Sequence, residues 1–569
     1  MPFGAEPGAA GVRFRLWAPA QKRIVLDLEG SQHEMNPLEK GWHELRLAAA
    51  RPGARYRYLL EDGRAVPDPA SRSNPDDVHG ASEVIDPLAH EWRDAAWRGR
   101  PWHEAVIYEL HLGTFTLEGT FAAARTRLPE LAALGVTAVE LMPVADFPGK
   151  RNWGYDSVLP FAPDASYGTP DELKALVDAA HALGLMVLLD VVYNHFGPEG
   201  NYLHAYCPQF FNPAHATPWG AAINFDGADC RSVRDFFVHN ALYWIEEFHF
   251  DGLRLDAVHA IRDDSTEHIV CEIGRALRAG PGREREIHLV LENDANEARY
   301  LGPCASAQWN DDLHHVLHVL ATGEANGYYA DYAAQALERL GRALAEGFIY
   351  QGEPSPLRAG APRGERSAGL PPTAFVSFDQ THDQVGNRAF GERLDVLAGP
   401  AAVEAALGCV LLSPQVPMLF MGEEFAARTP FQFFCDFGPE LAAAVTRGRR
   451  GEFERFARFA RFARFAQEIP DPNDPATFLA SKLQWQERNP ERIAFVRELI
   501  SLRRRHLVPR LAGARSGKFQ LLDQALQVSW PLADGARWNL TYAPEGGAAM
   551  PAGEAVYRAA ALCVALEGA

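Results

Sequence analysis

Eight short apolar stretches alternate with helix-like segments between residues 104 and 508, and no other feature constrains the fold of this chain as strongly. They are "AVIYEL" (105–110), "VTAVELMP" (136–143), "LMVLLDVV" (185–192), "FDGLRLDAV" (250–258), "IHLVLEN" (287–293), "SAQWN" (306–310), "TAFVSFD" (373–379) and "VPMLFMGEE" (416–424). Between them, segments such as "FAAARTRLPELAALG" and "PDELKALVDAAHALG" space their apolar residues by three and four and end on a glycine suited to a C-cap. Strands and helices in this alternation predict an α/β protein, a (β/α)8 TIM barrel, with its active site at the C-terminal ends of the strands. The gaps in the 190s to 240s and the 310s to 370s exceed the roughly 30 residues of a plain βα unit, so long loops are expected to crown that face and shape a cleft.

The flanks read differently. Residues 1–88 contain alternating pieces, "VRFRLWAP", "RIVLDLEG", "WHELRL" and "ARYRYLLEDG", set between Gly, Pro and acidic turns, which predicts an N-terminal β-sandwich resembling a carbohydrate-binding module. A linker is expected over 89–103, the catalytic barrel over 104–508, and a small, structural C-terminal β-domain over 509–569, where "FQLLDQALQVSW" and "ARWNLTYAP" are strand-like. The segment "FERFARFARFARFAQ" repeats Phe at every third position over 453–465. Each three-residue step turns a helix by about −60°, so five Phe sweep roughly 240° and cannot form one buried stripe. A surface helix burying part of its Phe is the plainer reading, and a membrane-surface or partner-binding helix is the alternative.

Composition removes several function classes. Hydrophobic content of 47% and charged content of 23% are those of a globular protein, and a net charge of −19 repels phosphate backbones, so no nucleic acid partner is expected. No apolar run reaches the ~18 residues that span a bilayer, the richest being broken by Ser413, Pro414 and Pro417, so no membrane partner is expected either. The N-terminus has no basic segment followed by an apolar one, and the seven cysteines are scattered singly, which together predict a cytoplasmic protein with reduced thiols and no zinc. Monomer and homodimer both remain open.

The chemistry is concentrated at strand ends. In "FDGLRLDAV" the two-residue strand period puts Gly252, Arg254 and Asp256 on one face and Leu253 and Leu255 on the other. The leucines face the helices, so the charged pair points into the barrel, with Asp256 at the mouth, where Arg254 would keep it ionised and oriented as a nucleophile. A structural ion pair is the bland alternative. In "IHLVLEN" the same parity sets Glu292 beside Asp256, and paired carboxyl groups in unlike environments are the equipment of a glycoside hydrolase. Loops after other strands add Asp190, Asn194 and His195, and His382 and Asp383. "RNWGYDSV" adds Trp153 and Tyr155 in the polar company of Asn152 and Asp156, flat rings of the kind that lie against sugar faces.

"DVVYNH", "GLRLDAV", the strand ending in Glu292 and "HDQVGNR" resemble the four short regions of the α-amylase family of glycoside hydrolases. The resemblance implies Asp256 as nucleophile, Glu292 as general acid/base and Asp383 as transition-state stabiliser, with Arg254, His195, His382, Asp190 and Tyr155 lining the subsite of the sugar being cleaved. It implies a retaining mechanism, with the Asp256 and Glu292 carboxyl groups about 5–5.5 Å apart. Flanking segments, among them "LENDANEARYL", "QWNDDLHHVLHVLATGEANGYYADY", "GFIYQGEPSPLRAG" and "MLFMGEEFAARTPFQFFCDF", resemble the members of that family that act on maltooligosyltrehalose, cutting the α-1,4 bond next to its terminal trehalose. α-Glucan oligosaccharides are the expected partners. Branching or debranching of glucan is the alternative activity, and a silent carbohydrate-binding homologue is a third.

Three departures from the pattern stand out: Thr381 where the family usually has Asn, the expanded triplets, and the short tail. Selection of trehalose is expected from rim residues on the leaving-group side, for which Asp311, Asp312, Glu423 and Glu424 are candidates, with loop ordering as their alternative role. Asn194 corresponds to a calcium ligand of many α-amylases, but the members resembled here work without metal, so no metal and no cofactor are expected.

Overall fold

The computed structural model describes residues 2–217, 220–454 and 469–568. Eight parallel strands close into a barrel: β1 (Ile107–Leu110), β2 (Ala138–Leu141), β3 (Met186–Val191), β4 (Gly252–Leu255), β5 (His288–Leu291), β6 (Ala307–Trp309), β7 (Phe375–Ser377) and β8 (Val416–Phe420). Each lies inside the stretch expected for it, and pairing of β8 with β1 closes the ring. Helices α1 (Pro170–Ala182), α2 (Cys230–Glu247), α3 (Ile269–Ala279), α4 (Asp311–Thr322), α5 (Ala336–Glu346) and α6 (Pro400–Leu412) contribute to the outer layer.

Side-chain alternation sorts the strands into two cores. Leu253, Leu255, Leu289 and Leu291 face outward and join the apolar layer shared with the helices. Ile107, Ala138, Met186, Leu188, Val290, Val376, Val416 and Met418 form a separate plug inside the barrel. One two-residue step nearer the mouth, the inward positions turn from apolar to charged: Glu109, Glu140, Asp190 and Arg254. Gly252 has to be glycine, because a Cβ there would lie 2.3 Å from the His288 carbonyl oxygen on β5.

Two antiparallel sheets form the N-terminal sandwich. One contains Gly4–Gly8, Gly11–Trp17 and Trp42–Leu47, the other Val25–Leu28, Ser31–Glu34 and Arg55–Leu59. Phe14 and Tyr56 meet edge-on between them at 4.9 Å, and Phe3 reaches Phe236 of α2 at 5.3 Å. The stretch read as a linker is fastened across the N-terminal end of the barrel: Asp94 accepts from His181 and His249, and Trp97 Nε1 donates to Asp251. At the other end of the chain a five-stranded antiparallel sheet, Lys518 to Glu567, docks on α5 and α6, where Trp530 and Trp538 donate to the carbonyls of Leu344 and Leu412.

The cysteine expectation needs correction. Cys271 on α3 and Cys304 in the turn before β6 are disulfide-bonded, with Cα atoms 4.4 Å apart. They stand 33 residues apart in sequence, and only the packing of α3 against that turn brings them together. No described helix is long and apolar enough to cross a membrane. Of the phenylalanine triplets, Phe453 ends a helix, Pro439–Glu454, with its ring buried; those at 456, 459, 462 and 465 lie outside the described residues.

Candidate active site

Arg254 is fully buried, with its guanidinium 4.1 Å from the centroid of the Trp309 ring. A buried cation must be paired, and three carboxylates arriving from three strand ends do this. Asp190 on β3 accepts at 2.8 and 2.9 Å and Asp256 just after β4 at 2.8 Å, while Glu292 just after β5 forms an ion pair with the guanidinium at 3.0 Å. Two of them have further anchors. Asn194 Nδ2 donates to Asp256 Oδ2 at 2.9 Å, and the Ala257 amide donates to Glu292 Oε2 at 2.8 Å. Ala257 adopts φ 40°, a left-handed conformation that alanine rarely takes, immediately after Asp256.

These environments set the protonation pattern. Burial lifts the Glu292 carboxyl above its ordinary range, Arg254 pulls against that, and the neighbouring Asp256 charge adds to the rise. Burial likewise pushes Asp190 up to about 7 against the attraction of Arg254, while Tyr155 donates to its Oδ2 at 2.5 Å. A carboxyl group able to hold a proton thus sits on the same guanidinium as a second carboxylate, an arrangement capable of acid catalysis beside a nucleophile.

The loop after β7 closes the site from the other side. Thr381 caps the short helix His382–Gly386 by accepting from the Asp383 amide, so its hydroxyl supplies the cap at the position where Asn was expected. The Asp383 side chain is about a third exposed (36%), and its carboxyl is raised by burial and lowered by His382. Tyr155 stacks on the His382 ring at 5.1 Å, and His195 is locked by Asn194 Oδ1 and the Tyr155 carbonyl.

Four of the expected site residues are turned away. Trp153 is 5% exposed, stacked on Phe431 and tethered to the Gln432 carbonyl, so it forms a wall behind His382 rather than a free sugar platform. Asp312 is wholly buried, and its two oxygens are taken by Tyr332, Asn296, Arg363 and the amides of Ile349 and Tyr350. Glu423 is held by the Phe420 amide and Gln380, and Glu424 by the Tyr108 hydroxyl. Position after a strand does not reveal which way a loop turns, and these three acids order loops from within. Asp311, the first residue of α4, stays half-buried; burial, then the charges of Glu292, Asp294 and Asp383, raise its carboxyl well above the ordinary range.

Two contributors escaped the sequence reading, Glu109 and Glu140, and Asn194, named there without a role in the site, anchors Asp256. Glu109 and Glu140 pair in register on β1 and β2. Both are inward-facing acids in apolar strands, the same signal that marked Arg254, so the parity argument would have found them. Glu140 is buried with neither carboxylate oxygen hydrogen-bonded among the described residues, and burial followed by the Glu109 and Asp190 charges raises it well above its ordinary range. Among the described residues one group, His215, Asp226 and Asp264, brings three metal-ligand atoms within 4.8 Å of one another; it lies outside the Arg254 cluster.

The family model of the α-amylase catalytic domain matches residues 68–215. A malto-oligosyltrehalose trehalohydrolase of Saccharolobus solfataricus is 43% identical over 514 residues, covering 89% of this chain and 87% of the relative. One from Deinococcus radiodurans is 43% identical over 505 residues, covering 88% and 82%. Among solved structures, a putative α-amylase from Salmonella typhimurium superposes with a TM-score of 0.93 at 45% identity, with 99% of both chains covered.

Proposed function

Because the chain belongs to the malto-oligosyltrehalose trehalohydrolases, a group of glycosidases in the α-amylase family, we propose that it cleaves the α-1,4-glucosidic bond beside the terminal trehalose of maltooligosyltrehalose, with Asp256, Glu292 and Asp383 as its catalytic residues. One observation carries the assignment of roles: a single guanidinium, Arg254, holds Asp256 and Glu292 together at the barrel mouth. Glu292 gives its proton to the glycosidic oxygen as the C1–O bond breaks, and free trehalose leaves. Asp256 attacks C1 from the opposite face and forms a glycosyl ester. Glu292, now a carboxylate, takes a proton from water; the hydroxide attacks C1, the ester bond to Asp256 breaks, and the two inversions retain configuration. Asp383, His382, Tyr155, Asp190 and His195 bind the sugar being cleaved, and Asp383 stabilises the positive charge that develops on it.

Asp311, at the end of β6 beside the catalytic acids, is the rim residue best placed to bond the leaving trehalose. Maltooligosaccharides are the other product. The five unpaired cysteines support a reducing, cytoplasmic setting, against which the Cys271–Cys304 disulfide is the one contrary observation. The reaction needs no metal or cofactor. Incubation with maltopentaosyl-trehalose followed by chromatography tests the activity: free trehalose and maltopentaose are expected, and new branch points or α-1,6 cleavage would instead favour the branching or debranching reading.

A further inference from the structure

Glu109 is buried at the end of β1 and makes two hydrogen bonds to one residue. Its Oε2 accepts from the His382 backbone amide at 3.0 Å, and its Oε1 lies 2.5 Å from His382 Nδ1. Both side chains are 1% exposed, and the Glu109 carbonyl is itself fixed by the Met421 amide on the β8 side. With Nδ1 engaged, Nε2 is the nitrogen left on the cleft side, 3.6 Å from Asp383 Oδ1, and the ring is clamped between Tyr155, stacked at 5.1 Å, and Trp153, edge-on at 5.6 Å.

We propose that Glu109 is a positioning residue for the glycosidase reaction, which holds His382 as an imidazolium with its Nε2–H aimed at the bound sugar. This rests on the placement of His382 in the sugar subsite. The charged groups facing His382 are Glu109 from β1, Glu140 from β2, Asp190 from β3, Arg254 from β4, Asp383 from its own helix, and His111 beyond β1. Burial and Arg254 oppose a proton on the ring; the carboxylates of Glu109 and Asp383 outweigh them and push its pKa up to about 9. Burial, followed by the charges of Glu109 and Asp190, raises the carboxyl of Glu140, the in-register neighbour of Glu109, well above its ordinary range. An imidazolium donates from both nitrogens, whereas a neutral ring fixed by Glu109 through Nδ1–H presents Nε2 as an acceptor and loses its bond to any carbonyl-like or ring oxygen of the sugar.

The test is the pH profile of kcat/KM for Glu109→Gln, which keeps the shape and removes the charge. It is measured on maltopentaosyl-trehalose and also on maltoheptaose, so that a failure of the trehalose assignment stays separable from a failure of this one. Glu292, as the acid, gives the wild type one fall in activity as pH rises, and a second, steepening fall is expected near 9 from His382. In Glu109→Gln the second fall should move towards about 6.5, which alone removes about thirtyfold at pH 8. Glu109→Asp, which retains the charge, should keep it near its original place at a lower overall rate. Should Glu109→Gln not fold, His382→Asn answers instead, because the second fall should vanish from its profile and leave that of Glu292. A second fall unmoved in Glu109→Gln, or persisting in His382→Asn, would overturn the proposal.

Discussion

Arg254 contacts three carboxylates at 2.8 to 3.0 Å, and what else holds each of them separates the two acids proposed to do the chemistry. Asp256 accepts a hydrogen bond from the Asn194 side-chain amide, whereas burial lifts the Glu292 carboxyl above the ordinary glutamate range. Asp256→Asn preserves the volume and the contact to Arg254 but cannot form the ester. A loss in kcat on the order of 10³-fold or more is expected with an unchanged circular-dichroism spectrum, and near-normal turnover would remove Asp256 as nucleophile. Glu292→Gln tests the acid more selectively. Its rate on an oligosaccharide should fall on the order of 10²- to 10⁴-fold, while maltosyl fluoride, whose leaving group needs no proton, should be spared most of that loss at the first step. In the wild type the active form of Glu292 is protonated, so the rate should hold above pH 4.5 and decline as pH rises through the raised pKa.

The first turn of α4 places two aspartates side by side in unlike surroundings, Asp311 half-buried and Asp312 wholly buried. Asp312 is buried among five partners, including Arg363, and although burial raises its carboxyl, Arg363, Tyr332 and the two amides bring it below its ordinary value. A depressed folded-state pKa contributes stability that is present above about pH 4 and is lost as pH falls through the lowered value. Asp312→Ala leaves Arg363 buried with one partner fewer, and a destabilisation of about 3–5 kcal/mol is expected in urea unfolding. Asp311→Asn should do the reverse, raising KM for the trehalose-capped substrate several-fold with no change in melting temperature. Equal effects of the two substitutions on KM would remove the distinction. Nothing in "QWNDDLHH" separates these neighbours, because facing the cleft or the interior depends on Tyr332, Ile349 and Tyr350, which return from later in the chain. The barrel strands were legible for the opposite reason: the two-residue period is local, and "FDGLRLDAV" discloses both its faces. Cys271 and Cys304 belong with Asp312, as a pairing made by tertiary packing that spacing cannot announce.

At the scale of the whole molecule, the C-terminal sheet is part of the barrel's outer layer. In α6, nine of thirteen residues are buried, and a helix apolar on all sides must be covered on all sides. The sheet covers the side that the barrel leaves open. Leu562 lies against Gly408, where a Cβ would come within 2.3 Å of it, and Trp538, fully buried, donates to the carbonyl of Leu412 at the helix end. α6 leads directly into β8, which closes the ring beside Glu109 on β1. Unfolding the sheet would therefore expose α6, loosen β8 and disturb the end of β1 that fixes His382. Trp538→Ala is expected to cost about 3–5 kcal/mol, and the midpoint at which activity is lost should fall together with the midpoint of the fluorescence transition. An independently folding sheet would give two separate transitions, with Trp538→Ala shifting one and leaving the loss of activity where it was.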